Sequence, residues 1–240
     1  MLSRLRGAFF LCIFPPLTML YSFATLVAAL LFRLSQRRCA AIPRAWGRLA
    51  TRLAGVKVEV SGREHVSADR PCIFAGNHQS QFDIFTLQGH FPFDFRWLAK
   101  QELFRIPLFG PAMIRAGHIP VDRAHGRRAV KSLAAAAERI SGGTSVIIFP
   151  EGTRSPDGKL REFKSGAMAL AIKAGVPIVP FALCGTHEIM PKGTLLARPG
   201  KVVIRLGQPV ETAGMAAKEK AVLAKRLHDE VAALLAAGVD

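Results

Sequence analysis

Pro71-Cys72-Ile73-Phe74-Ala75-Gly76-Asn77-His78-Gln79-Ser80-Gln81-Phe82-Asp83 passes from an uncharged apolar run into a polar turn. Residues 72–75 read as a buried strand. Beyond the turn, Phe82, Ile84, Phe85 and Leu87 read as the apolar side of a helix. A strand that feeds a helix through a short polar turn is a unit of α/β layer structures, whose sites lie just beyond strand ends.

The remainder of the chain from Val56 repeats this alternation. Strands are expected at Val56–Val60, Cys72–Ala75, Arg96–Ala99, Ile119–Val121, Val146–Phe149, Ile178–Leu183 and Val202–Leu206. Helices are expected over 80–90, 126–141, 165–174 and 216–237, with Gly175 as a stop before Pro177. Leu223, Leu227, Val231, Leu234 and Leu235 make an apolar stripe on the last of these, suited to packing on a sheet. The fold class is therefore α/β, with a central, mainly parallel or mixed sheet flanked by helices. One boundary is drawn, near residue 55.

His78 and Asp83 carry the first chemistry. An alcohol attacks a carbonyl near neutral pH only if a base takes its proton, and imidazole titrates close enough to serve. A carboxylate on the other ring nitrogen fixes the tautomer and stabilises the imidazolium. Residues five apart on one helix are separated by about 140°, so the pair meets best with His78 in the turn and Asp83 in the first helical turn. Ser80 then stands as the N-cap of an S-x-x-D pattern. The same spacing also describes an ordinary helix cap, with His78 a turn residue and Asp83 complementing the dipole. No G-x-S-x-G elbow occurs, so a covalent acyl-enzyme is not supported and the nucleophile falls to the substrate's own hydroxyl.

A second stretch lies about seventy residues on. Ser145–Phe149 is a buried-strand pattern, stopped by Pro150-Glu151-Gly152 and followed by the turn-rich Thr153-Arg154-Ser155-Pro156-Asp157-Gly158. An arginine in such a loop is suited to holding a phosphate through its bidentate fork, or is simply solvated.

Together, Asn77–Asp83 and Phe149–Ser155 resemble the signature of the glycerolipid acyltransferases. Gly117-His118-Ile119-Pro120-Val121-Asp122-Arg123 resembles that family's second motif, and Val176–Phe181 its proline-flanked block. Ala99–Leu103, Ile106–Gly110 and Phe163–Gly166 also resemble family segments, and the matches run in the family's order over roughly residues 56–210. The second motif departs mildly, having Pro120-Val121 where the family often has Phe-Ile. The resemblance implies a glycerol-3-phosphate acyltransferase-like fold, with His78 as general base and Asp83 as its partner. It places Arg123, Glu151, Gly152, Thr153 and Arg154 in the acceptor site, with Lys100 a further phosphate contact. Glu151 either touches the glycerol hydroxyl or pairs with an arginine. The implied reaction moves a fatty acyl group from acyl-CoA or acyl carrier protein to lysophosphatidate, with no cofactor and no metal. Another lyso-lipid acceptor, such as a lyso-ornithine lipid, shares the same motifs, and a lysophospholipid hydrolase would use water at the same base.

At 240 residues with a formal charge of +16, the chain calls for an acidic partner. Nucleic acid is not indicated, since the basic residues are scattered and no zinc-finger spacing, RNP-like motif or lysine-rich tail occurs. Anionic phospholipid accounts for the charge, either as the surface an enzyme works on or as the ligand of a non-catalytic membrane-surface protein.

Ala8 to Phe32 holds no charge, and as a continuous helix it would span about 37 Å, enough for a bilayer core of about 30 Å. Pro15-Pro16 is expected to interrupt it, leaving Leu17–Phe32 to reach only about 24 Å. Beyond it, Arg44, Arg48 and Arg52 form one helical row opposite Trp46, Leu49 and Leu53. That is the pattern of an interfacial helix, or of an amphipathic helix packed on the domain. Residues 1–55 are thus expected to be a membrane anchor, and 56–240 the acyltransferase domain. Arginines flank the apolar segment on both sides, and the expected location is the membrane, with the catalytic domain on the cytoplasmic face. The apolar stretch is longer than a signal peptide's and lacks a small-residue cleavage site. Cys12, Cys39, Cys72 and Cys184 form no C-x-x-C pair, which points to neither zinc nor a disulfide framework and fits a reducing compartment.

Overall fold

The computed structural model describes residues 2–122 and 126–239. All seven expected strands form: β1 (Val56–Ser61), β2 (Ile73–Gly76), β3 (Arg96–Lys100), β4 (Ile119–Val121), β5 (Val146–Ile148), β6 (Ile178–Cys184) and β7 (Gly200–Leu206). The N-terminal region holds α1 (Leu2–Leu31), α2 (Gln36–Cys39) and α3 (Ala41–Ala54). The expected helices appear as α4 (Phe82–His90), α6 (Arg127–Ser141), α7 (Ser165–Ala174) and α9 (Lys220–Ala236). Two short ones, α5 (Phe109–Arg115) and α8 (Thr186–Ile189), were not expected.

The strands make one sheet in the order β1-β7-β6-β2-β5-β3-β4. Every pair is parallel except β6 with β7, so the sheet is mixed, with five parallel strands from β6 to β4. Their carboxyl ends share one edge. The alternation of a strand sends neighbouring side chains to opposite faces, and β2 shows it. Ile73 and Ala75 enter the core beneath α6, α7 and α9, while Phe74 enters the aromatic core with Leu87 and Phe91. Burial on both faces explains why the parallel strands read as continuous apolar runs.

The N-terminal region is more closely joined to the body than its sequence suggested. α1 runs through Pro15 and Pro16 without a break. The two prolines deny the carbonyls of Leu11 and Cys12 their helical donors. Tertiary contacts hold the next turn: the Phe14 ring lies 5.1 Å from Trp46 and 4.4 Å from Phe85. Thr18 Oγ1 donates to the Phe14 carbonyl and accepts from Trp46 Nε1.

α3 packs on the body as well, against α4. Arg44 donates to the Phe93 carbonyl and Arg48 to that of Gly89, so two arginines of the expected headgroup row serve carbonyls at and beyond the end of α4. The two helices cross where glycine meets glycine: a Cβ on Gly47 would lie 2.5 Å from the Gly89 nitrogen. Gly55, left-handed at φ 74°, then turns the chain from α3 directly into β1.

Candidate active site

β2 and β5 are parallel neighbours at the centre of the sheet, so their carboxyl ends deliver Asn77-His78 and Phe149-Pro150-Glu151 side by side. Asn77 extends the ladder with its side chain. It donates through Nδ2 to the Leu183 carbonyl at 2.9 Å and accepts from the Leu183 N–H at 2.7 Å, both fully buried. Gly76, just before it, lies under Phe181, whose ring would meet a Cβ at 2.4 Å. These contacts set where β2 ends and the His78 turn begins.

Within the turn, Asp83 lies in the first turn of α4, as expected, and is fully buried. Its Oδ2 accepts from the backbone N–H of Gln79 at 2.9 Å and of Ser80 at 3.0 Å, and lies 2.7 Å from His78 Nδ1. An oxygen that already accepts two N–H groups is an acceptor for the ring too, so the proton sits on Nδ1 and Nε2 keeps the lone pair. Ser80 caps less directly than expected. Its hydroxyl accepts from Phe82 N–H at 2.9 Å and donates to the Met190 carbonyl at 2.6 Å, which pins the turn to the end of α8.

The His78 ring stacks on Phe149, with centroids 4.0 Å apart and planes 9° from parallel. The side chain is 17% exposed, on top of the buried carboxylate. Stacked on one side and hydrogen-bonded at one nitrogen, the imidazole has a single orientation.

Glu151 has backbone partners that neither expected role included. Its side chain is buried, Oε1 accepts from the His78 N–H at 2.6 Å and Oε2 from the Arg161 N–H at 3.3 Å. Burial pushes its carboxyl from the ordinary 4.5 up to about 7, against the pull of those two N–H donors. The Ser155 N–H donates back to the His78 carbonyl at 2.7 Å, so the second motif grips the His78 backbone at both ends.

The loop beyond Glu151 turns at Gly152 (φ 76°), where Lys164 Nζ would lie 3.0 Å from a Cβ. Thr153 is exposed and Arg154 half-buried, and the Arg154 carbonyl accepts from Lys192 Nζ at 2.9 Å. Lys100 is exposed at the carboxyl end of β3, in register with Val121 of β4. Arg123 lies outside the described residues. The structure therefore joins His78, Asp83, Glu151 and the Gly152–Arg154 loop at one point of the sheet edge, with Lys100 on the same edge. Asn77, Phe149, Ser155, Lys164 and Lys192 complete the surroundings. The first three stand inside or beside the two motifs, but no role for them was read from sequence. Among the described residues no group of three or more His, Cys, Asp or Glu side chains is placed to hold a metal.

Polar orientation of one imidazole, a basic loop beside it and a strand-end location suit transfer of a group to a hydroxyl on an anionic substrate. The sequence profile of the Acyltransferase family matches residues 57–184. A chloroplastic 1-acyl-sn-glycerol-3-phosphate acyltransferase of Brassica napus is 40% identical over 156 residues, 64% of this chain and 45% of that protein. A 1-acyl-sn-glycerol-3-phosphate acyltransferase of Pseudomonas aeruginosa is 34% identical over 185 residues, 77% of this chain and 71% of that one. The chain spans about half the length of the plant and algal relatives it matches at 40–41% identity. The crystal structure of the 1-acyl-sn-glycerophosphate acyltransferase of Thermotoga maritima superposes with a TM-score of 0.77 at 30% identity, covering 96% of this chain and 98% of that one. With the two motifs, the sheet that juxtaposes them and the family profile in agreement, this chain belongs to the Acyltransferase family.

Proposed function

We propose that the chain transfers a fatty acyl group from a thioester, on coenzyme A or acyl carrier protein, to the sn-2 hydroxyl of 1-acyl-glycerol-3-phosphate, giving phosphatidic acid. The observation that carries this reading is the 2.7 Å approach of His78 Nδ1 to Asp83 Oδ2, an oxygen that also accepts two backbone N–H groups; it supports a proton on Nδ1 and Nε2 as the base. Nε2 takes the hydroxyl proton as the acceptor oxygen attacks the thioester carbonyl. The C–S bond then breaks, and the imidazolium returns its proton to the departing thiolate. The side chains of Arg154 and Arg123, with Lys100 further along the edge, hold the acceptor phosphate so that the hydroxyl reaches Nε2. Gly152 and Thr153 shape the loop that presents Arg154. Glu151 acts by positioning His78. These steps call on no group beyond the acceptor and the thioester.

The acceptor is a lipid, and α1 supplies the means of staying with it. Residues Leu11–Leu31 are long and apolar enough to cross a membrane by length and composition. In the proposed arrangement α1 anchors the chain, the catalytic edge lies at the cytoplasmic surface, and anionic phospholipid attracts the basic protein.

The test is thiol release from an acyl-CoA by detergent-solubilised protein, with and without lysophosphatidate, beside His78→Ala. Acceptor-dependent release with phosphatidate formed, lost in the variant, is the expected result. Release without acceptor would indicate a thioesterase. Product only with another lyso-lipid, such as a lyso-ornithine lipid, would replace the acceptor. Liposome binding with no turnover of any acyl-CoA or acyl carrier protein substrate would leave a lipid-binding protein.

A further inference from the structure

The segment from Leu103 to Arg115 links β3 to β4 and takes no part in the site described above. Four large apolar side chains stand out from it within twelve residues: Leu103, Ile106, Leu108 and Ile114, each between 37% and 57% exposed. Arg105 and Arg115 are exposed among them. Scattered apolar residues on a surface need no explanation, but four of them within twelve residues of one segment point to a contact face.

The backbone is built to present it. Leu108 has φ 61° and ψ −51°, and the Phe109 N–H donates to the Pro107 carbonyl at 2.7 Å. This is a γ-turn of the strained hand, centred on a leucine whose side chain points outward. It is held by a Gly110 N–H to Ile106 carbonyl bond of 2.8 Å. Gly110 itself passes so close to Phe104 that a Cβ would lie 2.1 Å from the Phe104 carbonyl oxygen.

Position completes the case. The segment leaves β3 at Lys100, so it begins on the sheet edge that carries His78. α5 then packs along α1, and Gln36, just past the end of α1, reaches Gly117, just past the end of α5. At that end of α1, Leu30, Leu31 and Phe32 are 68–72% exposed.

We infer that Leu103–Arg115 is a second membrane contact, whose apolar side chains enter the interface of an anionic phospholipid bilayer while Arg105 and Arg115 meet its headgroups. An apolar cluster flanked by arginines suits that boundary, and continuity with α1 selects a bilayer over a protein partner. The contact turns the His78 edge toward the lipid. The inference rests on the membrane attachment proposed above, but its first readout is independent of the reaction.

Cys12→Ser removes the exposed thiol, the other three cysteines being buried. Ile106→Cys or Ile114→Cys is then labelled with an environment-sensitive fluorophore. The protein is bound to vesicles of phosphatidylcholine and phosphatidylglycerol whose chains are brominated at graded depths. Val222→Cys, 70% exposed on α9 across the sheet, is the control. Quenching at 106 and 114 by shallow bromines, absent at 222, is expected. Probes at 106 and 114 that stay as unquenched as at 222 on vesicle-bound protein would overturn the inference while leaving the acyltransferase reading intact. In a second measurement, Ile106→Glu with Ile114→Glu should lower turnover of vesicle-borne lysophosphatidate about tenfold or more, with detergent-micelle turnover unchanged. Equal loss in both would refute an action through the bilayer.

Discussion

The backbone N–H of His78 donates to Glu151 Oε1 at 2.6 Å, so a residue just past β5 holds a residue just past β2. The second motif is therefore part of the frame of the first, and its carboxylate acts on the base's backbone.

That bond predicts how stability follows pH. The Glu151 carboxyl titrates near the ordinary 4.5 when unfolded and at about 7 when folded. Between those values the native state holds more protons than the unfolded state, so this group's contribution falls as pH rises across that window, by at most about 3 kcal/mol. Glu151→Gln keeps an acceptor for His78 and cannot ionise, so its unfolding temperature should lack that decline. Calorimetry from pH 4 to 8 on both proteins checks it. An identical decline in the variant would remove Glu151 as the cause.

His78→Ala should lower turnover by about a hundredfold to ten-thousandfold, the range for losing a general base, with folding retained because the ring is partly exposed. Asp83→Asn should lower turnover and also stability, by about 1–3 kcal/mol, since Oδ2 serves Gln79 and Ser80 as well as the ring. Steady-state rates and urea unfolding on both variants separate the two roles. An Asp83→Asn protein of native stability and full activity would refute the tautomer argument.

Arg154 is expected to act on the acceptor alone. Arg154→Ala should raise the KM for lysophosphatidate by about tenfold to a hundredfold, the worth of one charge-assisted contact, with the donor KM little changed. Lys192→Ala, which frees the Arg154 carbonyl, should shift the same constant by less. Equal rises for donor and acceptor would remove Arg154 from the phosphate site.

Gly47→Ala should loosen the whole His78 turn from a distance. Its methyl would sit 2.5 Å from the Gly89 nitrogen, forcing α3 off α4, the helix that bears Asp83. Overpacking of this kind costs about 1–3 kcal/mol, read as a lower unfolding temperature. Ala45→Ser, on an exposed position of the same helix, should leave it unchanged.

The seven strands and the main helices of the body were legible because strand and helix periods and their punctuation are local properties. α5 was not: Gly110 and Pro111 stand inside its seven residues, and it is held by packing on α1. Pro15-Pro16 read as a break for the same reason, since a local rule cannot see Phe14 and Thr18 held by Trp46 and Phe85. The arginine row of α3 shows the general limit. Its periodicity marks an amphipathic helix whatever the partner, and only the tertiary structure shows α4 against it, through the Gly47–Gly89 approach.

By itself the sequence determined the fold class, the pairing of His78 with Asp83 across a strand-to-helix turn, and the family. Each of these depends on residues close together in the chain or on motifs in a fixed order. Only the tertiary structure decided that Glu151 holds the His78 backbone, that Phe149 floors the imidazole and that Asn77 continues the ladder to Leu183. Those contacts join segments brought together by strand order, and the order β6-β2-β5 is set by packing on both faces of the sheet, which no local pattern encodes.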